Sequence, residues 1–294
     1  MSGVPRYRVA QLSDIHLSPL PHVPVRSLLS KRVLGYLSWS LKRHELHRRE
    51  TLRALQADLA EQRVDHIVVT GDLVNIGLPQ EYELARAWLG ELGPPSRVSI
   101  IPGNHDAYVA GSLRAGWASW RDYMGDADAE QGFPWMRSLG DLVLLGLSSA
   151  VPTGWGIASG HLGATQLTAL AELLVATPRR KARVILVHHQ PIEGWSKPRK
   201  CLTDAFLLRA ILQRYGAELV LCGHEHRLSI GSIPGPRGPI PVIGAPSASI
   251  DDRPGHAAGG YLIHSFTQFP DGWRIATERR GLLATGEIVV EPVR

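Results

Sequence analysis

An α/β fold with parallel strands is predicted by three features of this 294-residue sequence. Short apolar runs alternate with amphipathic stretches through the first hundred residues. Each run ends abruptly in a polar or glycine-bearing motif. The composition is 44% apolar, enough for one large core in a chain of this length. Strands separated by helices pair in parallel through right-handed crossovers, and ligands gather beyond the carboxyl ends of such strands.

Residues 9–13 read as a short buried strand, ended by Asp14. A basic segment occupies about 19–49. Residues 51–62 read as a helix with Leu52, Leu55 and Leu59 on one face. Residues 66–70 form a second strand, ended by Gly71-Asp72. Residues 81–92 form a second helix, stopped by Gly93-Pro94-Pro95. Residues 98–101 form a third strand, ended by Pro102-Gly103-Asn104. A looser rim at about 108–137 carries Trp117, Trp120 and Trp135 and reads as partly helical; Trp117 and Trp120 are expected to pack on the core, with base stacking or an acyl groove as alternatives. Further buried strands are expected at 142–147, 184–187 and 219–221, with helices at 167–174 and 205–212. The tail is β-like at 242–243, 261–266, 273–277 and 288–290. The Gly/Pro-rich stretch 234–241 reads as a hairpin connection. No repeat or linker divides the chain, so 1–294 is read as a single domain.

Composition narrows the function classes. Two cysteines, Cys201 and Cys222, rule out a disulfide framework and are expected to be reduced thiols. No leader-like basic and apolar pair opens the chain, and no apolar run approaches 18 residues. A cytoplasmic protein is therefore expected. The net charge is +5, but it is local. Arg26, Lys31, Arg32, Lys42, Arg43, Arg48 and Arg49 face one acid, Glu45, a net +6 in that segment, and the remainder is near −1. That confinement argues against nucleic acid as the general partner.

The motifs at the strand ends carry the chemistry. They are Asp14-Ile15-His16, Gly71-Asp72, Gly103-Asn104-His105-Asp106, His188 and Gly223-His224-Glu225-His226. Carboxylate, amide oxygen and imidazole together suit Mn, Fe, Zn or Co rather than a soft thiolate site. Asp14 and His16 are two apart, as are His224 and His226; in extended backbone each pair points to one side. Two divalent ions about 3.5–4 Å apart activate water and stabilise the entering and leaving oxygens of a phosphoester.

The set D-x-H, G-D, G-N-H-D, H and G-H-x-H resembles the calcineurin-like metallophosphoesterase family over about three quarters of the chain. Within it, the early Gln11-to-His16 motif is most similar to bacterial cyclic-nucleotide and glycerophosphodiester phosphodiesterases. The resemblance implies a four-layer α/β/β/α sandwich of two mixed β-sheets. It implies that Asp14, His16, Asp72 and His226 hold one metal, and that Asp72, Asn104, His188 and His224 hold the other, with Asp72 bridging. Manganese or iron is favoured, with zinc or cobalt as alternatives. His105 matches the family's catalytic histidine, which contacts phosphate with Asn104 and stabilises the transition state or protonates the leaving alkoxide. Asp106 would orient it, and a metal-bridging hydroxide would attack phosphorus in line.

Other residues receive lesser roles. His161 is a candidate substrate contact, His189 a structural residue pointing away from the metals, and His44 and His47 belong to the basic segment. Asp251 and Asp252 read as a turn. In the segment 26–49, Leu29, Val33, Tyr36, Leu37 and Leu41 fall on one helical face and Lys31, Gly35, Ser38 and Lys42 on another, with Trp39 near the boundary. A basic face beside an apolar one is the pattern of a membrane-surface helix. A cap over the site, a homodimer helix and a solvated loop remain as alternatives. The expected function is metal-dependent hydrolysis of a small phosphodiester. The second reading is a peripheral enzyme at the inner face of the membrane acting on a lipid-linked phosphodiester or pyrophosphate. A non-catalytic scaffold of the same fold and a nuclease complete the field. The scaffold is disfavoured because every ligand and His105 are present.

Overall fold

The computed structural model describes residues 6–125, 132–253, 255 and 258–294; the side chains at 113–115 and 117, Trp117 among them, lie outside the description. In chain order the elements begin with β1 (Tyr7–Leu12), α1 (Arg32–Ser38), a π-helical turn (Trp39–Arg43), α2 (His44–Leu46) and α3 (Arg49–Glu61). They continue with β2 (His66–Val69), α4 (Pro79–Leu92), β3 (Val98–Ile100), α5 (Ser112–Trp120), β4 (Trp135–Leu139) and β5 (Leu142–Gly146). Then follow α6 (Ala164–Ala176), β6 (Ala182–Leu186), α7 (Ala205–Tyr215), β7 (Leu219–Cys222), β8 (Ser229–Ile233) and β9 (Ile240–Gly244). The chain closes with β10 (Gly260–Phe269), β11 (Gly272–Leu282) and β12 (Ile288–Val293).

Two mixed sheets lie between layers of helix. One has the order β12-β11-β10-β1-β2-β3, the other β4-β5-β6-β7-β9-β8. In the first, β1, β2 and β3 pair in parallel and β10 joins β1 antiparallel. In the second, β5, β6, β7 and β9 are parallel and both edges are antiparallel.

Strand alternation divides the core. Leu142, Leu144, Val184, Leu186, Leu219 and Leu221 join the cluster shared with the first sheet. Their neighbours Val143, Leu145, Ile185, Val187, Val220 and Cys222 pack on Leu167, Leu170 and Leu174 of α6 and Leu208 and Leu212 of α7. Successive side chains of one strand thus serve opposite faces. Leu52, Leu55 and Leu59 of α3, and Tyr82, Ala85, Trp88 and Leu89 of α4, cover the first sheet.

A polar thread crosses between the sheets beneath the ligand loops. Gln11 Nε2 donates to Thr70 Oγ1 (3.2 Å) and to the Cys222 carbonyl (2.8 Å). His264 Nε2 lies 3.1 Å from Gln11 Oε1, and its Nδ1 2.9 Å from Thr277 Oγ1. This network satisfies the buried polar atoms that tie β1, β7 and β10 together. Both cysteines are free thiols.

Three expectations need correction. The rim at 108–137 is partly helical and buries Trp120 in the core as expected, but its end is a strand, β4, which was not anticipated and which buries Trp135. The short strand β8, which closes the 234–241 hairpin against β9, was not anticipated, because its two isoleucines, Ile230 and Ile233, stand three apart and show no two-residue alternation. The basic segment is no solvated loop: it is helical from Arg32 to Leu46. Nor do its faces divide as expected. Leu29, Leu37 and Leu41 are exposed along with Lys42, whereas Gly35 is buried. A Cβ at Gly35 would meet Tyr108 Oη at 2.5 Å and Ile76 Cγ2 at 2.6 Å, so glycine permits this close approach. No helix among the described residues is long and apolar enough to cross a membrane.

Candidate metal centre

The loops after β1, β2, β3, β6 and β7 converge at one end of the two sheets. Three sets of side chains each place their donor atoms within 4.8 Å of one another: Asp14, His16, Asp72 and His226; Asp72, His188 and His224; and His16, His47 and His226. Asp72 belongs to the first two sets. Asn104 Oδ1 lies 3.3 Å from His188 Nε2.

The backbone at these loops is unusual. Among the described residues, positive φ in non-glycine residues occurs at Asp14, His16, Arg63, Asp72, His224 and His226. All but Arg63 belong to the expected ligand set. Left-handed backbone in such residues costs energy and concentrates at functional sites. It also corrects the geometry expected for Asp14/His16 and His224/His226. Neither pair lies on extended strand; each residue is left-handed (φ 51 and 43, 75 and 54), and the loops turn the side chains inward. Gly103 and Gly223 fit only as glycine, because an added Cβ would collide with the Asp72 carboxylate and with Ser13 Oγ respectively.

Backbone carbonyls orient the rings. His16 Nδ1 lies 3.2 Å from Val74 O, and His188 Nδ1 2.7 Å from Thr70 O. Donation from Nδ1 leaves each Nε2 lone pair facing the cluster, as metal-ligating histidines require. His105 follows the same rule, with Nδ1 2.5 Å from Asn75 O. Its backbone N–H donates to Asp72 Oδ1 at 2.7 Å.

Asp106 does not orient His105. Its Oδ2 accepts from the N–H groups of Asp72 and Gly103 (both 2.8 Å), and its Oδ1 from Leu73 (2.9 Å) and Val74 (3.1 Å). The carboxylate staples the loop after β2 to the loop after β3. His105 takes its orientation from Asn75 O instead. Glu81 acts similarly, accepting from the N–H groups of Asn75, Ile76 and Leu78.

The electrostatics favour cations at the centre. Burial pushes Asp72 up, but His188 and His105 pull harder and hold it well below the usual carboxylate range. Burial pushes Asp14 up most strongly, but His226 and His188 together hold it below its ordinary value. Burial opposes charge on His188, yet Asp72 lifts it to about 9. Burial, then neighbouring Arg43, holds His16 and His47 well below the ordinary imidazole value; burial and then His189 do the same for His224. Burial first and Arg43 second hold His105 at about 3. The buried Nε2 of His224 has no hydrogen-bond partner. A buried lone pair without a donor is costly, and a metal would satisfy it. Carboxylates, the imidazoles of His16 and His224 that burial keeps neutral, and this orphaned nitrogen fit a pair of divalent cations.

The remaining expected residues fall outside the cluster. His161 Nδ1 lies 3.0 Å from Thr203 Oγ1 and 3.3 Å from Asp204 Oδ2, and the structure does not bring it to the ligands. His189 is satisfied by Ser149 Oγ (2.7 Å) and Ala158 O (3.1 Å), a structural residue beside His188 and His224.

Two residues of the basic segment, Arg43 and His47, were missed as site residues. His47 is buried, with Nδ1 2.8 Å from Ser249 Oγ and its ring 4.5 Å from His16. Arg43 reaches the rings of His16 and His105. The cluster Arg43-His44-Glu45-Leu46-His47 and the mid-helix Gly35 were the signals available. Polar aromatic density and a lone helical glycine both point to a close-packed, functional face rather than a solvated one.

Comparison with known proteins agrees with this geometry. The family profile described as calcineurin-like phosphoesterase matches residues 7–228. The chain is 29% identical over 202 residues to a glycerophosphodiester phosphodiesterase of Enterobacter lignolyticus, covering 64% of this chain and 67% of that one. It is 30% identical over 263 residues to a cAMP/cGMP dual specificity phosphodiesterase of Mycobacterium tuberculosis, covering 79% and 76%. Among solved structures, a dimetal phosphatase from Danio rerio superposes with a TM-score of 0.65 at 13% identity, covering 99% of this chain and all of that one.

Proposed function

The chain belongs to the calcineurin-like phosphoesterase family, and from that premise we propose that it hydrolyses small soluble phosphodiesters with two metal ions. It is a metallophosphoesterase whose relatives are named phosphodiesterases. Cyclic nucleotides and glycerophosphodiesters are the substrate classes those relatives suggest.

The observation that carries the reading is Asp72. Its carboxylate belongs to both ligand sets and also receives the His105 backbone N–H. Asp14, His16, Asp72 and His226 would hold one ion; Asp72, Asn104, His188 and His224 the other, with manganese or iron the favoured metals. Bound, the pair supplies Lewis acidity and a nucleophile at neutral pH. His105 turns Nε2 toward the substrate because Nδ1 is bound to Asn75 O. Protonating a leaving alkoxide requires a proton on Nε2. Burial and Arg43 oppose that proton, and an anionic phosphate beside the ring would favour it. Asn104 would lie beside the phosphate. Asp106 and Glu81 contribute rigidity, holding the loops that carry Asp72, Asn104 and His105.

The test is an assay of the metal-loaded chain against cyclic AMP, cyclic GMP and glycerophosphodiesters. Turnover of at least one, abolished by chelation, supports the reading. Activity confined to monoesters would contradict it.

A second reading concerns where the substrate is presented. The outer face of the helical segment exposes Val25 (80%), Leu29 (86%), Leu37 (49%) and Leu41 (74%) beside Arg26 and Lys42. Apolar and basic residues side by side suit an anionic bilayer surface. On this reading the enzyme is peripheral and cleaves lipid-linked phosphoesters. Co-sedimentation with anionic but not neutral vesicles, lost in Leu37→Glu/Leu41→Glu, supports it; equal behaviour on both vesicle types contradicts it.

A further inference from the structure

The helical segment carries one cation into the centre that the ligand pattern leaves unexplained. Arg43 ends the π-helical turn. Its Nη2 lies 2.8 and 2.9 Å from the two ring nitrogens of His16. Its Nη1 lies 3.4 and 3.3 Å from those of His105. Near-equal distances place each guanidinium nitrogen over an imidazole face. An in-plane approach to both nitrogens at once would overlap the Cε1 between them. Each Nε2 therefore keeps its lone pair for the centre.

Among the described residues Arg43 forms no ion pair, although Asp14 and Asp72 lie in the same pocket. A partly buried guanidinium without a contacting carboxylate loses hydration and gains no bidentate partner. Its planar fork matches phosphate oxygens. The segment around it is firmly seated. Lys31 Nζ donates to Thr153 Oγ1 (2.8 Å) and Ile157 O (3.0 Å), and lies 5.0 Å from the centre of the Tyr108 ring. Arg32 donates to Ile76 O and Gly77 O (3.0 and 2.6 Å). Tyr108 stacks on His105 at 5.4 Å. Arg43 is thus held within reach of both His105, the candidate acid, and the ligand His16.

We propose that Arg43 is a phosphate clamp: it donates to a non-bridging phosphoryl oxygen of the substrate next to His105, so that binding depends on the seated helix. The proposal rests on the phosphodiesterase reading above. It gives the helical segment a role in substrate affinity, distinct from metal binding.

The test uses the full-length, manganese-loaded chain. The dissociation constant of inorganic phosphate is measured by calorimetry for wild type, Arg43→Ala and Arg43→Lys, with metal content determined on the same samples. The expected result is a Kd raised roughly 10- to 100-fold in Arg43→Ala, the span of a charge-assisted hydrogen bond. Arg43→Lys should lose less, and metal content should be unchanged in both. An unchanged Kd with both metals in place overturns the clamp. So does a Kd change that only follows loss of metal, because Arg43 would then be a support for His16. If the loaded wild type neither binds phosphate nor cleaves any diester, the underlying reading fails and the clamp with it. If the wild type does both and the Arg43 variants bind phosphate equally well, the clamp alone fails.

Discussion

The strand-end loops and the helical segment meet at His16, yet they are built on different principles. The loops are fixed by backbone. Left-handed residues turn the ligands inward, carbonyls of Thr70, Val74 and Asn75 pin three rings, and the Asp106 carboxylate gathers four N–H groups. The helical segment is fixed by side chains. Lys31, Arg32 and a close-packed Gly35 seat it, its helices lack side-chain caps, and its leucines face outward. A frame held by backbone tolerates little change and suits the metals and the reacting atoms. A part docked through a few side chains can vary without disturbing that frame, and suits the choice and capture of substrate.

Substitutions should separate the two regions by what they damage. The largest effect is expected at Asp72, which both ligand sets share. Asp72→Ala should cut turnover by more than the roughly 10–100-fold typical of outer-shell changes and lower metal stoichiometry. An unaltered metal count would remove its bridging role. His105→Ala should reduce turnover by about 10²–10⁴-fold with metals retained, the range for a general acid; full activity would exclude it from the chemistry.

Asp106→Asn comes next and distinguishes a staple from an orienting acid. The amide turns one of two oxygens that accept four N–H groups into a donor, and the cost is about 3 kcal/mol in denaturant-measured stability. A shifted pH–rate profile with normal stability would instead restore the orienting role. Gly35→Leu should unseat the helical segment for about 1–3 kcal/mol of overpacking strain. KM should rise while metal content holds. Loss of metal in this variant would show that the two regions are not separable.

The smallest effect concerns pH and lies in the frame. Burial holds His264 at about 3, well below its ordinary value of 6.5. The folded state therefore refuses a proton that the unfolded state accepts. The stability tied to this group is full above pH 6.5 and is lost as pH falls toward 3. At pH 5 the loss is about 2 kcal/mol. His264→Gln should flatten the stability difference between pH 7 and pH 5 by that amount; an unchanged slope would mean that His264 is not kept neutral by the fold.

The frame was legible in the sequence because its logic is local. Apolar runs ended by Asp14, Asp72, Asn104, His188 and His224 announce buried strands that hand over to polar loops, and those ends meet in the structure. Which sheet each tail strand would join was not legible, since β10 pairs with β1 across more than two hundred residues. The left-handed turns were not legible either, because they arise from loop closure between distant strands. Asp106 was misread because sequence adjacency to His105 suggested a side-chain contact, whereas its partners are backbone N–H groups more than thirty residues away as well as its own loop. Arg43 and His47 escaped notice because helical periodicity ranks leucines first. Here the leucines face outward, and the docking face is marked only by a glycine and a few polar residues.

Two metal ions, joined through Asp72, would make this site a phosphodiesterase. The most direct test strips the chain with chelator and titrates manganese back while following hydrolysis of bis(p-nitrophenyl) phosphate. Activity that rises to a plateau as a second equivalent binds per chain, and that Asp72→Ala fails to recover, is the predicted result. Full activity at one equivalent, or none at saturating metal, would contradict it.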